Sequence, residues 1–257
     1  MARAAKRRGN GATTEPGPAL PVFYRRPRPL NNELDRDKSL KLAPDFGFAR
    51  ATNSVVLNGG EFPLAMRFYP IVFSQSTPAS AVAVLGLVDN ENLFVGAGGQ
   101  WLPDVYVPAY VRRYPFVLME QPGGGDLILC VDEEAGLLVE GGQRPLFEAG
   151  QPSKLLQDAV SFCREFHAQH LGTTAFVQAL ASQGLLMRNE ARVVLPSGKQ
   201  LTLRGFDVVD EAKFNALPDD VFLDWRRRGW LHLVYCHLMS MANWGRLVDL
   251  AGKRTQS

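Results

Sequence analysis

The chain has 257 residues, 46% of them hydrophobic and 21% charged, which is enough to bury the core of one large domain or two small ones. Its formal charge of +2 conceals a split, because Met1 to Leu30 carries seven Lys/Arg against Glu15 alone and the remainder stands at −4. A mildly acidic body behind a short basic arm excludes a dedicated nucleic-acid domain, whose excess positive charge sits on a folded face, so no nucleic-acid partner is expected for the body.

Residues 1–20 read as a disordered, solvated basic arm. No apolar run follows the paired arginines, so an export signal is not recognised and a cytoplasmic location is expected. Cys130, Cys163 and Cys236 are far apart in apolar surroundings and show no zinc spacing, which suits reduced core thiols. From Phe23 to Pro44 the chain is an extended, charged lead-in broken by Pro27, Pro29 and Pro44, with room for one helical turn at NNELDRDK.

Short segments of strand character follow: VVLNGGEFP at Val55, FYPIVF at Phe68, AVAVLGLV at Ala81 and NLFV at Asn92. Turn residues in DNEN and GAGGQ make Ala81 to Trp101 a predicted meander, and DLILCVDEEAGLLVE from Asp126 adds another strand pair. The first half therefore predicts a curved antiparallel sheet.

Beyond Ser153 the apolar period becomes helical. Ser153 is placed to cap, and Gly172 divides the stretch up to Leu186 into two predicted helices. ARVVLPSGKQLTLRGFDVVDE reads as a hairpin around PSGK. A short helix at Glu211 and a second, capped by Asp219 and ending near Gly229, come next. WLHLVYCHLMSMANWGRLVDLA reads as one buried helix, since Asn243, Arg246 and Asp249 interrupt the apolar run that a membrane span needs. Residues 251–257 form a predicted disordered tail. The fold class is α+β: a single domain over 21–250, with a mainly antiparallel curved sheet and helices packed on it.

No complete catalytic or metal signature stands in the sequence, and no cofactor is expected. The serines lack a G-x-S-x-G context, GAGGQW is no phosphate cradle, and the acidic clusters VDEEAG and PDD read as turn and cap chemistry. His167 and His170 share a helix face and form an alternative metal pair, but a third ligand has no recognisable spacing. His232 and His237 point in different directions and read as core histidines. In WLPDVYVPAYVRRYPFVL, Pro108 opens a short helix that lines up Tyr106, Tyr110, Arg113 and Tyr114 beside Arg112. Such rings and guanidiniums either bind a peptide or base by stacking, or pack the sheet against the helices while the arginines pair with internal carboxylates. As a recognition surface they are joined by Glu91 and Asn92 from the meander.

Seven blocks in fixed order, PVFYRRPRPLNNELDRDKSLKLAPDFGFAR, EFPLAMRFYPIVF, VAVLGLVDNENLFV, YVPAYVRRYPFVL, LFEAGQPSKLL, LRGFDVVDEAKFNAL and RGWLHLVYCHLMSMANWGRL, resemble the SapC family of bacterial proteins over Pro21 to Leu250. The resemblance implies a link with the surface layer and with genes for TonB-dependent outer-membrane receptors and flavin-dependent halogenase-like proteins. It implies no defined reaction, and the related label of peptide-transport permease conflicts with the lack of membrane spans in the sequence. Where many relatives have histidine in the first block this chain has Asp35, so a scheme using that side chain as an obligatory base or ligand does not carry over. A non-catalytic binding or accessory protein with a protein or peptide partner is the expectation. A metal-dependent enzyme acting on a peptide or small nutrient is the alternative.

Overall fold

The computed structural model describes residues 20–41, 45–121, 125–195 and 198–254. The basic arm lies outside the described residues except for Leu20, as do residues 255–257 and the Pro196 and Ser197 of the predicted hairpin turn. The first half contains strands β1 (Pro27–Pro29), β2 (Lys38–Leu40) and β3 (Ser54–Val56), helix α1 (Phe62–Ala65), strands β4 (Ile71–Ser74) and β5 (Ala81–Val84), and helix α2 (Ala109–Arg112). Strands β6 (Phe116–Glu120), β7 (Leu127–Asp132), β8 (Leu138–Glu140), β9 (Phe147–Glu148) and β10 (Gln151–Pro152) lead to helix α3 (Lys154–Ser182). The hairpin β11 (Leu186–Val194) and β12 (Gln200–Val209) precedes α4 (Glu211–Asn215), α5 (Asp219–Arg227), α6 (Trp230–Ser240) and α7 (Asn243–Arg254).

This is an α+β fold with several antiparallel sheets in place of one curved sheet. The largest runs in the order β11-β12-β4-β5-β3, so the hairpin of the second half completes the sheet of the first. A smaller sheet, β1-β7-β6, takes its edge from the lead-in, where Pro27 and Pro29 are tolerated because an edge strand leaves one side unpaired. The two halves of DLILCVDEEAGLLVE do not pair with each other: β7 lies between β1 and β6, and β8 pairs with β2.

Helix α3 is the spine shared by both sheets. Its N-terminal half buries Leu156 and Cys163 with Phe116 and Val131 of the small sheet, and its C-terminal half buries Phe176, Val177 and Leu180 in the main core. Ser153 caps it, its Oγ accepting from Leu156 N–H (3.3 Å) and donating to Pro145 O (2.7 Å). The predicted break at Gly172 is absent. A mid-helix glycine costs about 1 kcal/mol relative to alanine, and the buried side chains on either side of it outweigh that.

Further expectations are corrected. NLFV is no strand: the buried Asn92 side chain donates to Ala49 O (3.0 Å) and accepts from Phe94 N–H (2.9 Å), folding the backbone locally and leaving only an isolated Val95–Trp101 bridge. NGGEFP leaves strand geometry at Asn58 for a 3-10 turn that runs into α1. The last apolar stretch is two helices, because Asn243 Nδ2 donates to Met66 O (2.7 Å), Tyr69 O (3.3 Å) and Ser240 O (3.0 Å) and so interrupts the chain after α6. Helix α7 then runs to Arg254, with Ala251 buried, so the expected terminal tail is helical through its first four residues. Pro218 occupies the N-cap of α5 and Asp219 stands in its first turn. No helix among the described residues is long and apolar enough to cross a membrane.

Between β12 and β4 the ladder is only two residues long. Where it ends, His237 of α6 takes over: its Nδ1–H donates to Ile71 O (2.6 Å) and its Nε2 accepts from Val209 N–H (3.0 Å). Ser240 Oγ accepts from Ile71 N–H (2.9 Å). Burial pushes the imidazole down to about 4 from 6.5, against the pull of the Ile71 carbonyl. Because the folded state disfavours the protonated ring, the unfolded chain takes up this proton first as pH falls. Stability from His237 is therefore complete above about 6.5 and is lost between that value and about 4, a change of roughly 3 kcal/mol. Urea unfolding across this window is expected to show a shallower pH dependence for His237→Gln than for the native chain. Gly172 is exposed, and a Cβ there meets nothing within 4 Å. Gly172→Ala is thus expected to raise stability by about 0.5–1 kcal/mol in the same assay.

Candidate functional site

Pro108 opens α2 as anticipated, and the preceding segment is held by a chain of polar contacts. Trp101 Nε1 donates to the Tyr69 hydroxyl (3.1 Å), which in turn donates to Tyr106 O. Tyr106 then gives its hydroxyl proton to Glu61 Oε1 (2.8 Å), and Ala109 N–H reaches the same oxygen (2.6 Å). Glu61 Oε2 accepts from Asn58 N–H (3.0 Å). A buried carboxylate is thus satisfied by N–H and O–H donors, with no cation bonded to it among the described residues. Burial and the Glu61 charge push the Tyr106 hydroxyl up to about 12.

The aromatic residues divide by depth. Tyr110 and Tyr114 are buried, Tyr106 is partly so, and Arg112 is exposed. Tyr110 donates to Val22 O (3.2 Å) and Tyr114 to Asp132 Oδ2 (3.0 Å). The Asp132 carboxylate also accepts from Arg25 N–H (3.1 Å) and Arg26 N–H (2.9 Å), tying the lead-in to the small sheet. Asp132 is the N-cap of a 3-10 turn, so VDEEAG is cap chemistry as read.

Neither arginine pairs with a carboxylate among the described residues. Arg113 instead lies between rings, its Cζ 4.3 Å from the centroid of Tyr110 and 4.4 Å from that of Phe166, with Tyr24 at 5.6 Å. Its Nε is buried without a hydrogen bond. Arg112 is fixed by neutral acceptors: Nε donates to Val107 O (3.0 Å), Nη2 donates to the Tyr106 hydroxyl (3.1 Å), and the guanidinium covers Phe162 (5.1 Å).

Both guanidiniums face a cavity of about 650 Å³ between α2, the β8–β9 connection and the start of α3. Arg144 and Lys154 add positive charge, and Leu40, Leu155, Ala159 and Phe162 supply apolar wall. Arg144 is also held by a neutral acceptor, Lys41 O (3.1 Å), whereas Lys154 pairs with Asp158. With Glu148 as the remaining carboxylate, the wall carries a net charge of +2. An adjoining cavity of about 250 Å³ shares Leu40, Arg112, Tyr114 and Arg144 and adds Phe46, Phe48, Val111 and Leu137. On the other side of Arg112 and Phe162 lies a third cavity, of about 270 Å³, lined by Asn58, Glu61, Tyr106 and Glu165.

Of the residues singled out in the sequence, Tyr114, Arg112 and Arg113 line the 650 Å³ cavity, Tyr106 lines the 270 Å³ one, and Tyr110 packs on Arg113. Glu91 and Asn92 are not brought there. Asn92 is the internal staple described above, and the Glu91 carbonyl lies so close under Gly86 that a Cβ on Gly86 would sit 2.0 Å from it. His170 stacks on Phe166 (6.3 Å, 10°), and burial together with the neighbouring Arg113 and His167 charges lowers its pKa. Among the described residues no three His, Cys, Asp or Glu side chains gather closely enough to hold a metal ion. Asp35 is buried in an ion pair with Arg28 (2.6 Å); burial alone would raise its carboxyl, but Arg28 and the Asn31 N–H hold it below its usual range.

Arg144, Lys154, Asn58 and Glu61 were not singled out for the site from the sequence. Arg144 lies in GGQRP, which carries no periodic signal. The N-x-x-E spacing of Asn58 and Glu61 is a capping-box pattern and was a usable cue.

The SapC family model matches residues 30–247 of the chain. The chain belongs to the SapC family. That span contains every residue of the three cavities, so the site is built wholly from the family's own region. No curated protein and no solved structure matches the chain.

A guanidinium needs its planar face to lie between two rings, and a lysine ammonium has none. Arg113→Lys is therefore expected to cost about 2 kcal/mol in urea unfolding, against less than about 1 kcal/mol for Arg112→Ala. Equal losses would show that the ring sandwich is not what holds α2 on α3.

Proposed function

We propose that this SapC-family protein is a binding or accessory protein whose cleft holds an acidic, partly apolar segment of a protein or peptide. The observation that carries the reading is the way Arg112, Arg113 and Arg144 are held. Each is positioned by carbonyls, a hydroxyl or ring faces, so its charge is left for an incoming anion. Carboxylates suit the forked guanidiniums, and the apolar wall with its side cavity around Phe46 and Phe48 suits a neighbouring aliphatic or aromatic side chain. Nucleic acid is disfavoured by the net −4 of the chain beyond Leu30.

The family resemblance suggests where such a partner belongs, namely surface-layer or TonB-dependent outer-membrane uptake functions. Three buried, free cysteines support a reducing compartment and hence the cytoplasm.

Calorimetric titration with a short peptide carrying glutamates beside a phenylalanine tests the proposal. It is expected to bind at least about tenfold more tightly than the same peptide with glutamines, and Arg112→Ala with Arg144→Ala should remove that preference. Indifference of the native protein to the glutamate charge would overturn the reading.

A further inference from the structure

The cleft and its side cavity meet at two arginines: Arg112 and Arg144 line both the space of about 650 Å³ and that of about 250 Å³. Arg112 is exposed and Arg144 partly so, which leaves both within reach of an incoming group. Neither guanidinium is saturated. Arg112 donates through Nε and Nη2 and Arg144 through Nη1, so Arg112 Nη1 and Arg144 Nε and Nη2 have no hydrogen-bond partner among the described residues. Beyond the arginines the side cavity is walled by Phe46, Phe48, Val111 and Leu137. Its other charged groups, Lys41 and Asp45, offset each other, and Asp45 Oδ1 already accepts from Gly47 N–H (2.8 Å). A pocket for a drug-sized ligand has about 300–1,000 Å³. The side cavity is smaller than that and takes a single side chain.

We infer that the residue held at this junction is the last one of the partner peptide, with its side chain in the side cavity and its α-carboxylate on Arg112 and Arg144. The inference rests on the binding reading above. The group between the two arginines is bonded to the same carbon as the side chain that lies beyond them. In mid-chain that group is a neutral amide, which leaves both charges unanswered. At a C-terminus it is a carboxylate, whose two oxygens suit the two guanidinium forks. Successive side chains of an extended peptide point to opposite sides, so a last side chain seated in the side cavity directs the preceding one into the cleft. A glutamate there, together with the α-carboxylate, brings two negative charges to a wall of net charge +2. The ligand is thus a peptide that ends in an acidic residue followed by an aromatic or large aliphatic one.

Calorimetric titration of the full chain with a peptide ending in glutamate and phenylalanine, once as the free acid and once as the C-terminal amide, tests this. The free acid is expected to bind at least about tenfold more tightly, and Arg112→Ala with Arg144→Ala should remove the difference. Leu137 is partly exposed and lines the side cavity but not the cleft. Leu137→Trp fills that cavity and is expected to lower the affinity for the phenylalanine-ended acid to that for a glycine-ended one, with the unfolding midpoint close to native. The comparison of acid and amide on the native chain stands whether or not this variant folds. Equal binding of acid and amide overturns the terminal-residue inference, and leaves the acidic-segment reading standing when the peptide is still preferred over its glutamine counterpart. Binding of neither peptide overturns both.

Discussion

Arg113 is permanently charged and half buried, and among the described residues it has no carboxylate to neutralise it; the faces of Tyr110 and Phe166 hold it instead. That sandwich joins α2 to the middle of α3, and the neighbouring rings extend it into the lead-in. Phe23 packs on Tyr110 and Tyr114, Phe48 stacks on Tyr114 at 4.1 Å, and Tyr24 gives its hydroxyl to Phe116 O (2.6 Å). The small sheet, the lead-in and the cleft are all referred to the position of one guanidinium. Because rings rather than an anion stabilise it, its charge still acts on the cavity it faces.

The same economy recurs with the sign reversed. Asp132 and Glu61 are buried carboxylates satisfied by backbone N–H and tyrosine O–H groups. Tyr106 is the hinge between the two classes, donating to Glu61 and accepting from Arg112, so that the charges stand on either side of one phenol without meeting. A direct ion pair would have cancelled both. Its absence is why a cationic cleft and an acceptor-rich cavity lie next to each other on one scaffold.

The rest of the molecule keeps this arrangement rigid. Helix α3 is continuous from the small sheet into the main core, so the wall carrying Phe162 and Phe166 cannot move independently of Phe176 and Leu180. On the far side His237 and Ser240 supply the hydrogen bonds that the short β12–β4 ladder omits, fixing α6 to the sheet edge at Ile71.

What the sequence by itself determined was local. The cap at Ser153, the start of α2 at Pro108, the hairpin on either side of PSGK and the apolar setting of the cysteines all follow from preferences that act within a few residues. The tertiary structure decided the continuity of α3 through Gly172, the break made by Asn243, the loss of a strand at Asn92 and, above all, the partner of each charge. The arginines were expected either to meet a ligand or to pair with internal carboxylates; among the described residues the pairing does not occur, and rings and carbonyls hold them instead. Helical and strand periods report which side of an element is buried, but hydrogen bonds such as Asn243 to Met66, or a guanidinium closing on a ring of another helix, depend on distances between segments remote in the chain, and no local pattern encodes those distances.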